Sequence, residues 1–178
     1  MIPPILVGQS VTLRPVGQAD LDDLRQWYNA PETFRYMGRD DPSTADAQAE
    51  WHQVTRADPT SMVWAVTRTT DATLIGSFTL RNLGDPARRG ELGVLLGVLG
   101  SGFGSDAVRT VLAYAFGTQD LQCISLEVRG DNRRAITAYM RAGFRPEGIL
   151  RRRLRKAGAY HDLYSMSILR EEFDAGEF

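Results

Sequence analysis

The stretch Leu95-Leu96-Gly97-Val98-Leu99-Gly100-Ser101-Gly102-Phe103-Gly104-Ser105-Asp106-Ala107 places four glycines within eight residues. Glycine lets a backbone approach a ligand closely. A helix starting just after such a turn offers unpaired N–H groups and a partial positive charge. Together these suit a phosphate or pyrophosphate. A tight structural turn needs fewer glycines than are present. No lysine lies in the stretch, so the Gly-Lys-Ser/Thr ending of a nucleotide P-loop is absent. Gly102 to Ala107 does fit the dinucleotide fingerprint G-x-G-x-x-G/A, and Glu127 follows Ala107 by 20 residues. A nicotinamide-dependent oxidoreductase using Gly102, Gly104, Ala107 and Glu127 is therefore a rival reading. That fingerprint normally sits on the first strand of a parallel domain. Here it follows at least three strands, and only 51 residues remain after Glu127.

Other groups could move protons. Tyr139 shares an apolar helical face with Ala135 and Ile136, where a lone tyrosine is more often core than catalyst. Asn132 opens the same helix and suits an N-cap. Glu91 begins an apolar strand. His161 has an intrinsic pKa near neutrality, but strand alternation turns it and Asp162 to opposite faces. Cys123 is the one cysteine. It cannot form an internal disulfide and reads as a small buried hydrophobe. Two histidines and one cysteine cannot build a Cys/His zinc site, so no metal is expected.

The elements that must position these groups are legible. A strand at Val11–Pro15 stops at its proline. A helix over 19–28 puts Leu21, Leu24 and Tyr28 on one face, with Asp20 as N-cap or first-turn acid. A weakly apolar helix follows over 43–56. Strands at 62–67 and 74–80 flank a hairpin turn at 70–73, and a third covers 91–96. Short turns imply antiparallel neighbours. A helix over 104–116 carries the stripe Ala107, Val108, Val111, Leu112, Ala115 and Phe116. Then come a strand at 123–128, a helix over 133–142 stopped by Gly143, and strands at 144–150 and 160–169. The expected order is β-α-α-β-β-β-α-β-α-β-β, an α/β fold with a mixed, mostly antiparallel central sheet flanked by helices.

The chain of 178 residues suits a single domain over residues 1–178, and 43% apolar with 24% charged residues excludes disorder as the dominant state. A net charge of −1 gives no whole-chain sign of nucleic-acid binding. The charge is uneven: residues 1–58 carry 5 basic and 9 acidic groups, residues 129–156 carry 10 and 2. The run Arg151 to Lys156 is either a solvated hairpin tip or a contact for RNA or phosphates. The longest apolar or glycine run, Leu92 to Gly100, falls far short of the roughly 18 residues of a membrane span. No targeting segment is evident, so the expected place is the cytoplasm and no membrane partner is expected.

The glycine stretch resembles motif A of the GNAT N-acetyltransferases, Arg/Gln-x-x-Gly-x-Gly/Ala, with Gly102 and Gly104 as the small residues. Leu99 stands where that family has Arg or Gln, and the connection is about two residues shorter than usual. The run from Asn132 to Arg151 is similar to the family block N-x-x-A-I-x-x-Y-x-x-x-G-F-x-x-E-G-x-x-R. Gly158-Ala159-Tyr160-His161-Asp162 and Met166 to Leu169 continue the pattern, and Leu13-Arg14-Pro15 extends it to the start. This long form resembles the ribosomal-protein N-terminal acetyltransferases and their spermidine and antibiotic relatives.

The resemblance implies acetyl-CoA as co-substrate and direct acetyl transfer to a primary amine. The acceptor would be a protein N-terminus, such as that of a ribosomal protein, or a small cationic amine. It implies that the backbone of Val94, Leu95 and Leu96 pairs with the pantetheine arm and leaves an N–H for the thioester oxygen. Leu99, Gly100, Ser101, Gly102, Phe103, Gly104 and Ser105 would cradle the pyrophosphate, and Asn132 would bond the pantetheine. Tyr139 would protonate the leaving thiolate. Glu91 is the first candidate for general base, with Asp162 and His161 behind it. Trp27, Tyr28, Phe34, Tyr36 and Trp64 could line an acceptor slot, which the acidic stretch Asp40 to Asp58 would make favourable for cations. A homodimer is among the assemblies that the resemblance allows. A non-catalytic acyl-CoA-binding module with the same fold is the alternative.

Overall fold

The computed structural model describes residues 1–98 and 102–176. Eight strands form one sheet in the order β1-β2-β3-β4-β5-β6-β8-β7. They are β1 (Leu6–Val7), β2 (Val11–Pro15), β3 (Met62–Arg68), β4 (Leu74–Arg81), β5 (Arg89–Leu96), β6 (Cys123–Arg129), β7 (Arg145–Lys156) and β8 (Ala159–Leu169). Every neighbouring pair is antiparallel except β5 with β6. The mixed, mostly antiparallel sheet expected from the sequence is therefore present.

Strand alternation divides the apolar residues between two faces. Met62, Trp64 and Val66 of β3 join one core with Leu13, Phe78, Leu80 and Leu92. The helix α4 (Phe103–Gly117) covers that core with Val108, Val111, Leu112 and Phe116. Between them, Val63 and Ala65 point the other way, into a second core with Leu21 and Leu24 of α1 (Leu21–Asn29). A strand covered on both faces reads as an unbroken apolar run, and 62–66 is one. The short helix α2 (Pro31–Phe34) and α3 (Ala45–Ala57) complete the α1 side. On the α4 side, α5 (Arg133–Arg141) packs Ala135, Ile136 and Tyr139 against the main core. The chain then closes with α6 (Arg170–Asp174).

The departures from the sequence reading have local causes. Asp20 does not cap α1 with its side chain. Its carboxylate turns back to the Gly17 N–H at 2.8 Å and takes a two-pronged ion pair from Arg14 at 2.7 Å. The two-residue β1, the four-residue α2 and the five-residue α6 are too short for a periodic pattern to announce them. The basic run is not a hairpin tip. Arg151 to Lys156 form the second half of β7, and the turn falls at Ala157-Gly158 with φ +48° and +80°. No described helix is long and apolar enough to cross a membrane.

Candidate active site

The β5–β6 ladder lasts for three rungs, from Arg89–Cys123 to Glu91–Ser125. Beyond it β5 runs on beside β4 to Leu96, and β6 runs on beside β8 to Arg129. The two strands part, and the β6-facing backbone groups of β5 past Glu91 have no strand partner. Backbone polar groups inside a fold seldom go unpaired, so this wedge suits an extended ligand that supplies strand-like hydrogen bonds. A cleft of about 660 Å³ occupies it. Val94, Leu95 and Leu96 form one wall, the start of α4 the end, and α5 from Asn132 to Arg141 the other wall.

Helix α4 begins after Gly102, whose φ of +76° lies in the left-handed region that side chains resist. No side chain among the described residues caps α4, whereas Thr44 caps α3 at 3.2 Å and Asn132 caps α5 at 3.3 Å. Gly102, Gly104 and Ser105 line the cleft, so the uncapped helix start faces it. A Cβ at Gly104 would stand 2.9 Å from Leu96 Cδ1, so glycine here keeps helix and strand in contact. The chemistry of this end fits an anionic phosphate ester. Leu99, Gly100 and Ser101, expected in the same cradle, lie outside the described residues. Phe103 packs against the main core.

Asp106 anchors the cradle from behind. It accepts from the N–H groups of Gln9 at 3.1 Å, Ser10 at 2.6 Å and Val11 at 3.1 Å, and from the Ser10 hydroxyl at 2.8 Å. Desolvation pushes its carboxyl pKa up, but these hydrogen bonds outweigh it and hold the group below the ordinary range. An acid in the first turn also suits the helix dipole.

Tyr139 lines the cleft. Its ring meets Phe144 edge-on at 5.8 Å, and burial pushes the phenol up to about 12. It is therefore a proton donor rather than a base near neutral pH. Asn132 also lines the cleft. Its Oδ1 caps α5 by accepting from Ala135 N, and its amide NH2 makes no bond to the described residues.

The structure does not bring Glu91 and Asp162 to this cleft. Glu91 faces Arg81 at 3.6 Å, and Asp162 accepts from Arg152 N at 2.7 Å. His161 Nδ1 accepts from Arg129 Nη2 at 3.1 Å. That bond belongs to a knot in which the buried Arg129 also grips the half-exposed Asp131 at 3.0 and 2.6 Å and the Arg35 carbonyl. Of the five aromatics proposed for an acceptor slot, Tyr36 alone lines the cleft. Trp64 is buried in the core, with Nε1 donating to the Pro4 carbonyl at 2.8 Å. Tyr28 and Phe34 pack edge-on at 6.5 Å, and Trp27 lies against Gly97.

Sequence reading passed over Glu32, Arg133, Arg134 and Arg141, all of which line the cleft. Glu32 is the one carboxylate among the described lining residues. Nothing in the sequence around it carried a signal, since only the chain path over α2 turns it inward. The dinucleotide reading also falls here. The sheet has one parallel pair, and Glu127 faces Arg153 at 3.9 Å.

Comparison with known proteins agrees with this geometry. Residues 10–145 match the Acetyltransferase (GNAT) domain family. The chain is 28% identical over 175 residues to p20 of Bacillus licheniformis, named as an uncharacterised N-acetyltransferase. That match covers 94% of this chain and 97% of p20. It is 30% identical over 106 residues to YdaF of Bacillus subtilis, whose ribosomal N-acetyltransferase assignment is unproven. There the match covers 58% of each chain. Among solved structures, it is similar to spermidine N-acetyltransferase from Vibrio cholerae in complex with CoA and spermine. The TM-score is 0.84 at 25% identity, over 92% of this chain and 98% of that one.

Proposed function

This chain belongs to the GNAT acetyltransferase family, and from that premise we propose that it moves an acetyl group from acetyl-CoA directly to a primary amine. The observation that carries the reading is the parting of β5 from β6 in front of the uncapped start of α4. The wedge would hold the pantetheine arm by backbone bonds to Val94, Leu95 and Leu96, and the helix start would hold the pyrophosphate. An N–H of the parted strand would donate to the thioester oxygen as negative charge develops there. The neutral amine nitrogen attacks the thioester carbon, a C–N bond forms and the C–S bond breaks; Tyr139 gives its phenolic proton to the departing thiolate, and the surplus proton on the nitrogen leaves to water, from which the phenol is reprotonated. Asn132 would steady the pantetheine through its free amide NH2.

The amine must reach the carbonyl unprotonated. Glu91 and Asp162 are poorly placed for this, and we assign the task of drawing and deprotonating an ammonium group to Glu32, opposite the Asn132 wall. A small cationic amine is the acceptor we favour, because the spermine-bound structure has the same architecture and Glu32 supplies negative charge. A protein N-terminus, as in a ribosomal protein, is the alternative acceptor.

The test follows acetyl-CoA consumption with spermine, spermidine and a panel of peptides with free N-termini. Saturable turnover with the polyamines supports the reading. Turnover confined to peptides moves the acceptor to a protein N-terminus. Tight CoA binding with no turnover on any amine would make the protein a binding module instead.

A further inference from the structure

Residues 30–42 form a strap whose base is closed by Asn29 and Ser43. The Asn29 side-chain amide and the Ser43 backbone exchange two hydrogen bonds of 2.8 Å. None of residues 31–42 is buried. Yet Glu32, Thr33, Tyr36 and Met37 of this strap line the cleft. A segment without buried side chains opens locally at little cost, so whatever pins it decides where that wall stands. Two cations pin its outer part. Arg129 donates to the Arg35 carbonyl and holds its guanidinium over the Tyr36 ring, 5.6 Å from the centre. Lys156, the chain's one lysine, donates to the Arg39 carbonyl and holds its ammonium over the Phe34 ring, 3.7 Å from the centre. Beside it, Asp40 accepts from the Ala157 N–H at 2.7 Å. Tyr28 against Phe34 and Leu154 beside Gly38 add apolar support.

Neither Arg129 nor Lys156 lines the cleft. Each seats its charge on a strap aromatic while bonding a strap carbonyl, so two contacts fix one geometry. The anchors come from different elements. Arg129 ends β6, three residues before Asn132, and Lys156 ends β7 at the hairpin turn. The strap is thereby tied both to the start of the α5 wall and to the β7–β8 hairpin. This inference rests on the reading that the acceptor amine is drawn in by Glu32. We propose that Lys156 and Arg129 are positioning residues, which hold the strap, and with it Glu32 and Tyr36, where the acceptor amine must bind. The last member of the basic run on β7 then acts on the amine side of the cleft without touching it.

Arg129 is buried, so Arg129→Gln would test folding together with position. The half-exposed Lys156 separates the two. Lys156→Met keeps the stem and removes the charge, and Lys156→Arg keeps the charge. Arg155→Met removes an exposed neighbouring charge for which no strap contact occurs among the described residues. The N–H groups of Thr33, Phe34, Arg35, Tyr36 and Met37 are bonded within the strap, so hydrogen exchange by mass spectrometry reads its opening. In Lys156→Met, exchange over 30–42 should rise about fivefold, the scale of one cation–π contact and one hydrogen bond, with α4 and α5 unchanged. KM for spermidine should rise by a similar factor, while the CoA dissociation constant from calorimetry stays level. Lys156→Arg and Arg155→Met should match the wild type in all three readouts. Unchanged exchange in Lys156→Met would overturn the proposal. Faster exchange with an unchanged KM would do the same, as would equal weakening of CoA. If the wild type acetylates neither spermidine nor any peptide, the proposed reaction fails by itself, and exchange over 30–42 alone decides whether Lys156 pins the strap.

Discussion

At the scale of single residues, the proposed reaction divides its proton chemistry between Tyr139 as donor and Glu32 as acceptor. Tyr139→Phe keeps the ring against Phe144 and removes the proton. It should lower kcat by about a hundredfold, the lower range for general acid catalysis, with the CoA dissociation constant unchanged. Since burial lifts the phenol to about 12, its protonation is constant across about pH 6 to 9. The pH profile of the residual activity in Tyr139→Phe should therefore keep the wild-type shape over that range, and a kcat that stays at the wild-type level would remove Tyr139 from the role. Glu32→Gln should raise KM for a polyamine by about tenfold through loss of a charge-assisted contact, with CoA binding untouched. A variant that binds amine normally and loses only kcat would make Glu32 a base alone.

At the scale of elements, the site depends on contacts that hold α4 and β5 in place. Asp106 ties the start of α4 to the β1–β2 turn through three N–H groups and a hydroxyl. Asp106→Ala leaves those donors without an acceptor and should cost about 2 kcal/mol, as expected for hydrogen bonds to a charged group. Denaturant unfolding measures this, and a cost within experimental error would show that the clamp is idle. At the end of β5, Gly97 lies under the Trp27 indole, where a Cβ would stand 1.9 Å from Trp27 Cδ2. Gly97→Ala must displace Trp27 and with it α1, at a cost of about 1–3 kcal/mol for overpacking. Trp27→Ala should partly rescue it, which a double-mutant cycle reads directly.

At the scale of the whole molecule, charge sets the acid limit. Asp20, Asp58, Asp71, Asp85, Asp106 and Asp131 all sit below the ordinary carboxylate pKa. For Asp131 the side-chain bond from Arg129 is the leading cause. At Asp20, desolvation acts upward and the Arg14 and Gly17 bonds override it. A carboxyl whose folded pKa is depressed contributes stability that is complete above its unfolded value. That stability is lost as pH falls through the folded value. Thermal melts should therefore be level above about pH 5 and fall steeply below about pH 4. A Tm that held level down to pH 3 would show that these pairs contribute nothing to stability.

Most of the fold and part of the site were legible in the order of residues. The unbroken apolar run 62–66 and the apolar stripe of 107–116 are local patterns, fixed by which side chains must leave water, and they predicted β3 and α4 closely. The glycines around Phe103 read as an anion cradle at a helix start, and the wall from Asn132 to Gly143 was pointed to by the family resemblance of that block. Distance along the chain says nothing about what lies across a gap. Glu91 reads as the acid nearest the strand that binds, yet it faces Arg81, because pairing with β4 and β6 decides which side of β5 opens. Trp64 reads as a candidate for the acceptor slot, although such aromatics are more often core, until Leu13, Phe78 and Tyr114 close around it. Glu32 and the arginines of α5 meet in one cleft only after α2 and α5 have packed on opposite sides of the parted strands. Local periodicity is a property of neighbours in sequence, and it made the elements. Which charges share a cavity is a property of neighbours in space, and the parting of β5 from β6 made the site.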